Sequence, residues 1–226
     1  MQTAAWQSAS PTRSSVIFDL DGTLIDSSAS ILRSFEAAFD KIGVIARQAF
    51  TSEVIGPPLI PTLQRLAGSD DPALIQALAT AFKVEYDSHA YQAATVFDGI
   101  PELLASLGQR GVQMYIATNK RILPTRKILA HLGWQEHFAG IYGLDYFEPA
   151  AASKTEMVTR IIERHALTPE LTLFVGDRIE DGIAAEGNGL DFAMVTWGYV
   201  DDTQGERSDN WQYFDDPHAL GIYITG

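Results

Sequence analysis

The chain has 226 residues, of which 46% are apolar and 20% are charged, as in a globular protein with a substantial core. The net charge of -13 argues against nonspecific binding to nucleic acid, although it leaves room for a small anionic substrate. The absence of cysteine excludes disulfides, zinc–thiolate sites and thiol nucleophiles.

No apolar run approaches the roughly 20 residues needed to cross a bilayer. The first residues lack the apolar middle of a secretory signal, so we predict a disordered tail over residues 1–14. We therefore expect a cytoplasmic protein without membrane contacts.

The first half of the chain begins with a strand and continues as mainly helical sequence. An apolar run from Val16 to Phe18 predicts a strand that ends at Asp19-Leu20-Asp21-Gly22-Thr23. Apolar spacing then predicts helices over 29–42 and 59–67, and a longer helix that begins at Asp71-Pro72.

The second half alternates between strands and helices. Helices are predicted to open at Pro101 and Pro124 and to cover 154–166 and 180–186. Strands are predicted over 112–117, 140–142, 171–175 and, as a last core strand, 192–195. The acidic sequence beyond Gly198 turns apolar only at 220–224, which leaves open whether it closes the core.

This alternation predicts an α/β fold, with an open, mainly parallel sheet and helices on both faces. About ninety residues separate the first two strands, although a crossover needs only about a dozen. We therefore predict a helical cap domain over 24–95, inserted after the first strand, with 15–23 and 96–226 forming the α/β core.

Polar residues follow three of the predicted strands. They are Asp19 with Asp21, Thr118 with Asn119, and Asp177. Open parallel sheets bind ligands beyond the carboxyl ends of their strands, so these residues are candidates for one site. Because Asp19 and Asp21 are two apart in an extended segment, a first interpretation has both side chains facing one cation.

The acidic residues Asp19, Asp21, Asp177 and Asp181 suit a hard cation with oxygen ligands, and magnesium fits best. Thr118 and Lys154, the latter at a helix start, would add an anion site facing the metal. Each signal also has an ordinary interpretation. Thr118-Asn119 can cap a helix, Lys154 can be solvated, and Gly176-Asp177 can be a plain turn.

Taken in order, four motifs resemble those of the haloacid dehalogenase superfamily of phosphohydrolases: Asp19-Leu20-Asp21-Gly22-Thr23, Thr118, Lys154, and Gly176-Asp177-Arg178-Ile179-Glu180-Asp181. Further segments resemble its phosphoglycolate phosphatase-like branch, which has a Rossmann-like core and a helical cap after the first strand. They are 24–27, 55–58, 117–120 and 152–154. One position departs from the commonest pattern, because Arg178 stands where a small hydroxyl residue is frequent.

The resemblance implies a role for each residue. Asp19 would be the nucleophile that forms an aspartyl-phosphate, and Asp21 would be the acid and base. Magnesium would be held by the Asp19 side chain, the Asp21 backbone carbonyl and Asp177, with Asp181 as a further ligand or a support. The phosphoryl group would be bound by Thr118, Asn119 and Lys154. This division revises the first interpretation, since the Asp21 side chain must then turn away from the metal.

The predicted function is a magnesium-dependent phosphatase for a small phosphorylated metabolite, acting as a monomer or homodimer. Phosphoglycolate is the leading substrate, followed by nucleoside monophosphates (a 5'-nucleotidase), then pyrophosphate and sugar phosphates. A sugar-phosphate mutase, a phospho-acceptor signalling module and an inactive binding protein are the alternatives. Residues 47–56 are the expected specificity segment. Lys120-Arg121 has two interpretations, attraction of an anionic substrate to the loop after the second core strand and a solvated pair, of which the solvated pair is favoured.

Overall fold

The computed structural model describes residues 12–199 and 208–226 of the chain. Six strands form one parallel sheet in the order β5-β4-β1-β6-β7-β8. They are β1 (Ser15–Phe18), β4 (Gln113–Thr118), β5 (Gly140–Gly143), β6 (Thr172–Gly176), β7 (Asp191–Val195) and β8 (Gln212–Phe214). A separate antiparallel pair joins β2 (Ile25–Asp26) to β3 (Thr95–Val96).

Alternation along β1 places apolar side chains on both faces of the sheet. Val16 and Phe18 belong to one core cluster, with residues of α4 (Ile100–Gln109), α5 (Ile122–His131) and α8 (Pro217–Thr225). Ile17 belongs to the other, with residues of α6 (Lys154–His165) and α7 (Ile179–Glu186). The predicted α/β class, with helices on both faces, is confirmed.

The segment between β1 and β4 forms helices α1 (Ser28–Ile42), α2 (Leu59–Ala67) and α3 (Pro72–Ser88). Their apolar faces share a hydrophobic cluster of their own. The α3 start is confirmed, because the Asp71 side chain accepts a hydrogen bond from Ala73 N and Pro72 follows it. The division into core and cap at 24 and 95 stays a prediction, although Leu24 and Ile25 pack with the core.

Three predictions about the ends of the chain and of its elements are corrected. Arg13, expected in the tail, is buried and bonded to Asp191 at 2.5 Å; residues 1–11 lie outside the described residues. Helix α5 begins at Ile122 rather than Pro124, because the proline occupies its first turn. Strand β7 is followed by a further strand, β8, which pairs with it in parallel.

The C-terminal segment closes the core. Leu220 and Ile224 of α8 are fully buried in the cluster that contains Val16 and Phe18. Residues 200–207 of the acidic segment lie outside the described residues. Within the described part of the chain, no helix is both long and apolar enough to cross a membrane.

The burial of α8 predicts that Leu220→Ala lowers the free energy of unfolding by about 2–5 kcal/mol, since it removes buried methyl groups and leaves a cavity. Ile222→Ala on the same helix is the control, because Ile222 is 58% exposed. The control should cost under about 1 kcal/mol. Urea unfolding monitored by circular dichroism measures both, and equal losses would contradict the packing of α8 into the core.

Candidate active site

The carboxyl ends of three adjacent strands meet at the centre of the sheet. Strand β1 lies between β4 and β6, with Phe18 level with Ile116 and Val175. The chain therefore brings Asp19, Thr118 and Asp177 to one edge. Since β4 and β5 lie on one side of β1 and β6 to β8 on the other, this edge is the topological switch point, where such sheets bind ligands.

Three of the predicted metal ligands lie together. Asp19, Asp177 and Asp181 are buried, and each offers a carboxylate oxygen within 4.8 Å of the others. Asp181 comes from the first turn of α7, where its Oδ2 accepts a hydrogen bond from Arg178 N at 3.1 Å. Asp177 lies in the loop before that helix, and Thr23 donates to its Oδ1 at 3.1 Å.

The Lys154 side chain lies among these three carboxylates and not in solvent. As the first residue of α6 it is buried, and its Nζ donates to Asp19 Oδ1 at 2.6 Å and also to Asp181 Oδ1. Burial alone would lower the pKa of Lys154, but the attraction of Asp181 and Asp19 outweighs it and raises that pKa. The ordinary interpretation of a solvated lysine is wrong.

One lysine cannot neutralise three carboxylates. Burial raises the pKa of Asp19 well above its usual range, and Lys154 counteracts this only in part, while Asp181 and Asp177 add repulsion. Burial and the repulsion of Asp181 raise the pKa of Asp177 to about 7. When all three acids are ionised, the group therefore carries an excess of two negative charges.

This excess fits a hard divalent cation. The donor set consists of carboxylate oxygens, the ligands that Mg²⁺ accepts, and few protein ligands suffice because Mg²⁺ keeps several waters. A bound cation would remove the repulsion that otherwise favours protonation. Asp19, Asp177 and Asp181 are thus the residues that would hold the metal.

The side chain of Asp21 points elsewhere. Ser27 Oγ donates a hydrogen bond to its Oδ1, and Lys120 Nζ lies 3.1 Å from its Oδ2. It is not part of the group that Asp19 forms with the other two acids. This placement agrees with the predicted division between Asp19 and Asp21, whereas a metal contact from the Asp21 backbone stays a prediction.

Gly22 makes the sharp turn between these roles possible. Its φ is +89°, a conformation that side chains disfavour, and a Cβ at this position would overlap the carboxylate of Asp177. The glycine therefore lets the loop after β1 approach the loop after β6 closely enough for Thr23 to reach Asp177.

The predicted phosphate-binding residues Thr118 and Asn119 lie at the end of β4 and directly after it. Thr118 is buried, and its Oγ1 accepts a hydrogen bond from Lys120 N at 3.2 Å. Asn119 Nδ2 donates to Gly56 O at 3.1 Å, so this amide joins the strand end to the loop before α2. The alternative of a helix cap is wrong, because α5 has Arg121 as its N-cap and no side-chain cap bond.

Lys120 and Arg121 are not a solvated pair. The Lys120 side chain is 8% exposed, and its Nζ donates to Tyr86 OH at 3.0 Å as well as pairing with Asp21. Arg121 forms two hydrogen bonds to Asp87, at 2.9 and 2.6 Å. Lys120 and Arg121 therefore both link the end of β4 to the last turn of α3. The interpretation of a solvated pair is wrong.

Tyr199 contributes to the site although no sequence pattern indicated it. Its backbone N–H donates to Asp177 Oδ2 at 2.8 Å. Its hydroxyl donates to Asp26 Oδ1 and accepts from Ser27 N, both at 2.8 Å. The two contacts of the hydroxyl join residues more than 170 positions apart, so they tie the loop after β7 to the start of the helical segment.

A cavity of about 450 Å³ lies at the carboxyl ends of β1 and β4, between them and the helical segment. Its polar end contains Asp19, Asp21, Thr118, Asn119 and Lys154. The remaining wall comes largely from α1, α2, α3 and the loop at 54–58. Of the predicted specificity segment 47–56, only residues 54–56 reach this wall.

Comparison with known proteins assigns the family. The family model described as haloacid dehalogenase-like hydrolase matches residues 16–195. The chain therefore belongs to the haloacid dehalogenase-like hydrolases, as the motif resemblance implied.

Several named proteins are similar to this chain. A 5'-nucleotidase of Pseudomonas aeruginosa is 31% identical over 91% of this chain and 92% of that protein. A phosphoglycolate phosphatase of Xylella fastidiosa is 31% identical over 91% of this chain and 90% of its own length. The tyrosine-protein kinase PtkA of Mycobacterium tuberculosis is 35% identical over 81% of this chain, which spans only 62% of that relative.

Solved structures agree with the fold. A haloacid dehalogenase-like hydrolase of Streptococcus pneumoniae superposes with a TM-score of 0.81 at 26% identity, covering 95% of this chain and 99% of that one. The structure of PtkA gives a TM-score of 0.78 at 29% identity, with 94% and 99% covered.

The cluster of three carboxylates at Asp19, Asp177 and Asp181 predicts that Mg²⁺ stabilises the protein to an extent that depends on pH. The raised pKa values of Asp19 and Asp177 mean that the metal-free native state binds more protons than the unfolded chain, so its stability falls as pH rises from about 4 through 7. Because protons compete with the cation, Mg²⁺ should raise Tm more at pH 8 than at pH 5.5. At about 100 times the Kd the gain is about 2.7 kcal/mol, or about 5–10 °C.

Differential scanning fluorimetry with Mg²⁺ or EDTA measures this. Asp177→Asn should reduce the Mg²⁺ response, whereas Glu180→Gln, an exposed neighbour outside the carboxylate group, should keep it. An equal Mg²⁺ response of wild type and Asp177→Asn would contradict the assignment of this site.

Proposed function

We propose that this chain hydrolyses phosphomonoesters in a magnesium-dependent reaction through an aspartyl-phosphate on Asp19. The observation that carries the proposal is the separation of two carboxylates over one cavity. Asp19 lies with Asp177, Asp181 and Lys154, while Asp21 lies apart with Ser27 and Lys120. Such a pair supplies a nucleophile and an independent acid/base.

In the first step, an Asp19 carboxylate oxygen attacks phosphorus and the bond to the ester oxygen breaks. Asp21 transfers its proton to the departing oxygen, which leaves as an alcohol. Asp19, Asp177 and Asp181 would hold the magnesium ion, which supplies positive charge against the phosphoryl oxygens. Lys154 and the Thr118 hydroxyl, with Asn119 beside them, orient those oxygens.

In the second step, the Asp21 carboxylate accepts a proton from a water molecule that attacks the phosphorus of aspartyl-phosphate. The acyl phosphate bond breaks, inorganic phosphate leaves, and Asp19 returns as a carboxylate. Asp21 ends protonated, ready for the next ester. Hydrogen bonds from Ser27 and Lys120 keep its side chain toward the cavity through both steps.

The relatives support a phosphatase and leave its substrate open between a nucleoside monophosphate and phosphoglycolate, as the names of the two 31%-identical proteins suggest. A second candidate function is phosphoryl transfer to protein tyrosine, which is supported by the 35% identity to PtkA. Incubation with ATP and Mg²⁺, followed by detection with an antibody to phosphotyrosine, distinguishes this candidate from hydrolysis.

The mechanism predicts that Asp19→Asn abolishes phosphate release, because the amide cannot act as the nucleophile. Asp21→Asn should lower kcat by about 10²–10⁴-fold, most strongly for esters with poor leaving groups, since it removes the acid and base. A phosphate-release screen over phosphomonoesters, with Mg²⁺ or EDTA, measures both effects.

Asp40→Asn is the matched control, because Asp40 is an exposed aspartate at the end of α1. It should retain wild-type rates. Phosphate release that persists in Asp19→Asn, or that is unaffected by EDTA, would refute the mechanism.

A further inference from the structure

The cavity above the carboxylates differs sharply between its two ends. One end holds the nucleophile, the acid/base and the phosphoryl-binding residues described above. The other end, which receives whatever the phosphoryl group is attached to, is formed mainly by apolar side chains of the helical segment. The chemistry of this second end decides which leaving groups are accepted.

Its apolar wall comes from three helices and a loop. Ile31 and Phe35 of α1 and Phe82 of α3 contribute, together with Ile55 and Leu59. Ile60, at the start of α2, also lines the cavity and remains 41% exposed. Removing a ring or alkyl group from water against such a surface is favourable, at about 25 cal/mol per Å².

The size of the cavity exceeds what a two-carbon acid requires. Its volume of about 450 Å³ lies within the range of about 300–1,000 Å³ found for sites that enclose ring-bearing small molecules. A small leaving group would leave most of the apolar wall in contact with water.

Two of the cationic side chains that line the cavity, Lys120 and Arg121, are already paired with other side chains of the protein. Arg121 is held by both oxygens of Asp87, and Lys120 lies between Asp21 and Tyr86. A carboxylate or second phosphate on the leaving group would have to displace one of these contacts. Such an anion would otherwise face apolar side chains, which costs free energy.

Two further lining cations remain. Arg178 Nε lies 3.7 Å from Glu180, whose carboxylate offsets its charge, and the guanidinium packs against Gly56. A planar guanidinium in this position can also stack on an aromatic ring. Lys83 is half-buried, and within the described ranges it has no carboxylate partner. Lys83 therefore offers one flexible ammonium, a point charge without the rigid pair of donors with which an unpaired arginine would hold a carboxylate.

We infer that the leaving group of the preferred substrate carries an aromatic or other apolar ring and no second anionic group, as in a nucleoside 5'-monophosphate. The inference rests on the proposed phosphatase function, and it makes phosphoglycolate a poor substrate. The apolar wall, with Ile60 at its accessible edge, selects for the ring.

Binding of phosphonates tests this selectivity without requiring turnover. Benzylphosphonate, ethylphosphonate and 3-phosphonopropionate share the phosphonate group and carry, respectively, a phenyl ring, a short alkyl chain and a carboxylate. Titration calorimetry in Mg²⁺ should give benzylphosphonate a Kd at least about tenfold below those of the other two. Binding of 3-phosphonopropionate as tight as that of benzylphosphonate would overturn the inference.

Ile60→Asn tests the wall itself. It should weaken binding of benzylphosphonate about fivefold or more and change that of ethylphosphonate less than twofold, because only the ring contacts this wall. Ile45→Asn is the matched control, since Ile45 is 88% exposed in the same helical segment and does not line the cavity. Equal effects of the two substitutions on benzylphosphonate would contradict the role of Ile60.

Rates of ester hydrolysis distinguish a failure of the ring selectivity from a failure of the proposed phosphatase function. Benzyl phosphate, a nucleoside 5'-monophosphate and phosphoglycolate all release a primary alcohol, so their kcat/KM values compare the ring and not the type of leaving oxygen. Hydrolysis with phosphoglycolate preferred would overturn the inference and keep the phosphatase. Ring-selective phosphonate binding without hydrolysis of any ester would overturn the phosphatase and keep the ring selectivity.

Discussion

The repulsion among three buried carboxylates is the constraint on which the site depends. Asp19, Asp177 and Asp181 come from two strand ends and one helix, and Lys154 from another helix reaches two of them. Placing charges together in a buried position is unfavourable unless they are paired. The packing of the sheet and its flanking helices provides the free energy that holds these incompletely neutralised carboxylates together. Their excess negative charge favours the binding of a divalent cation.

The helical segment meets the core at the loop that follows β4. Tyr86 and Asp87 of α3 contact Lys120 and Arg121, and Gly56 accepts from Asn119. Lys120 contacts Asp21 as well, so the same lysine contacts the proposed acid/base and helix α3 of the helical segment. The position of the helical segment and the orientation of Asp21 are thereby linked through one ammonium group.

Sequence patterns predicted what depends on local chemistry. Helical spacing and the Asp71-Pro72 start located α2 and α3, and the motif around Asp19 located the site. The structure adds what depends on contacts between distant residues. Lys120 was misread as solvated because its partners, Tyr86 and Asp21, lie far away in the chain. Tyr199 gave no signal for the same reason, since its hydroxyl partner Asp26 is 173 positions away. Strand β8 was missed because three residues carry too little periodicity to identify a strand.

The proposed site uses Asp19, Asp177 and Asp181 to bind the divalent cation and leaves the Asp21 side chain free for proton transfer. Anomalous diffraction from crystals soaked in Mn²⁺ tests it most directly, because the signal locates the ion itself. We expect the strongest peak among the carboxylates of Asp19, Asp177 and Asp181. A strongest peak at the Asp21 carboxylate, or away from all four acids, would contradict it.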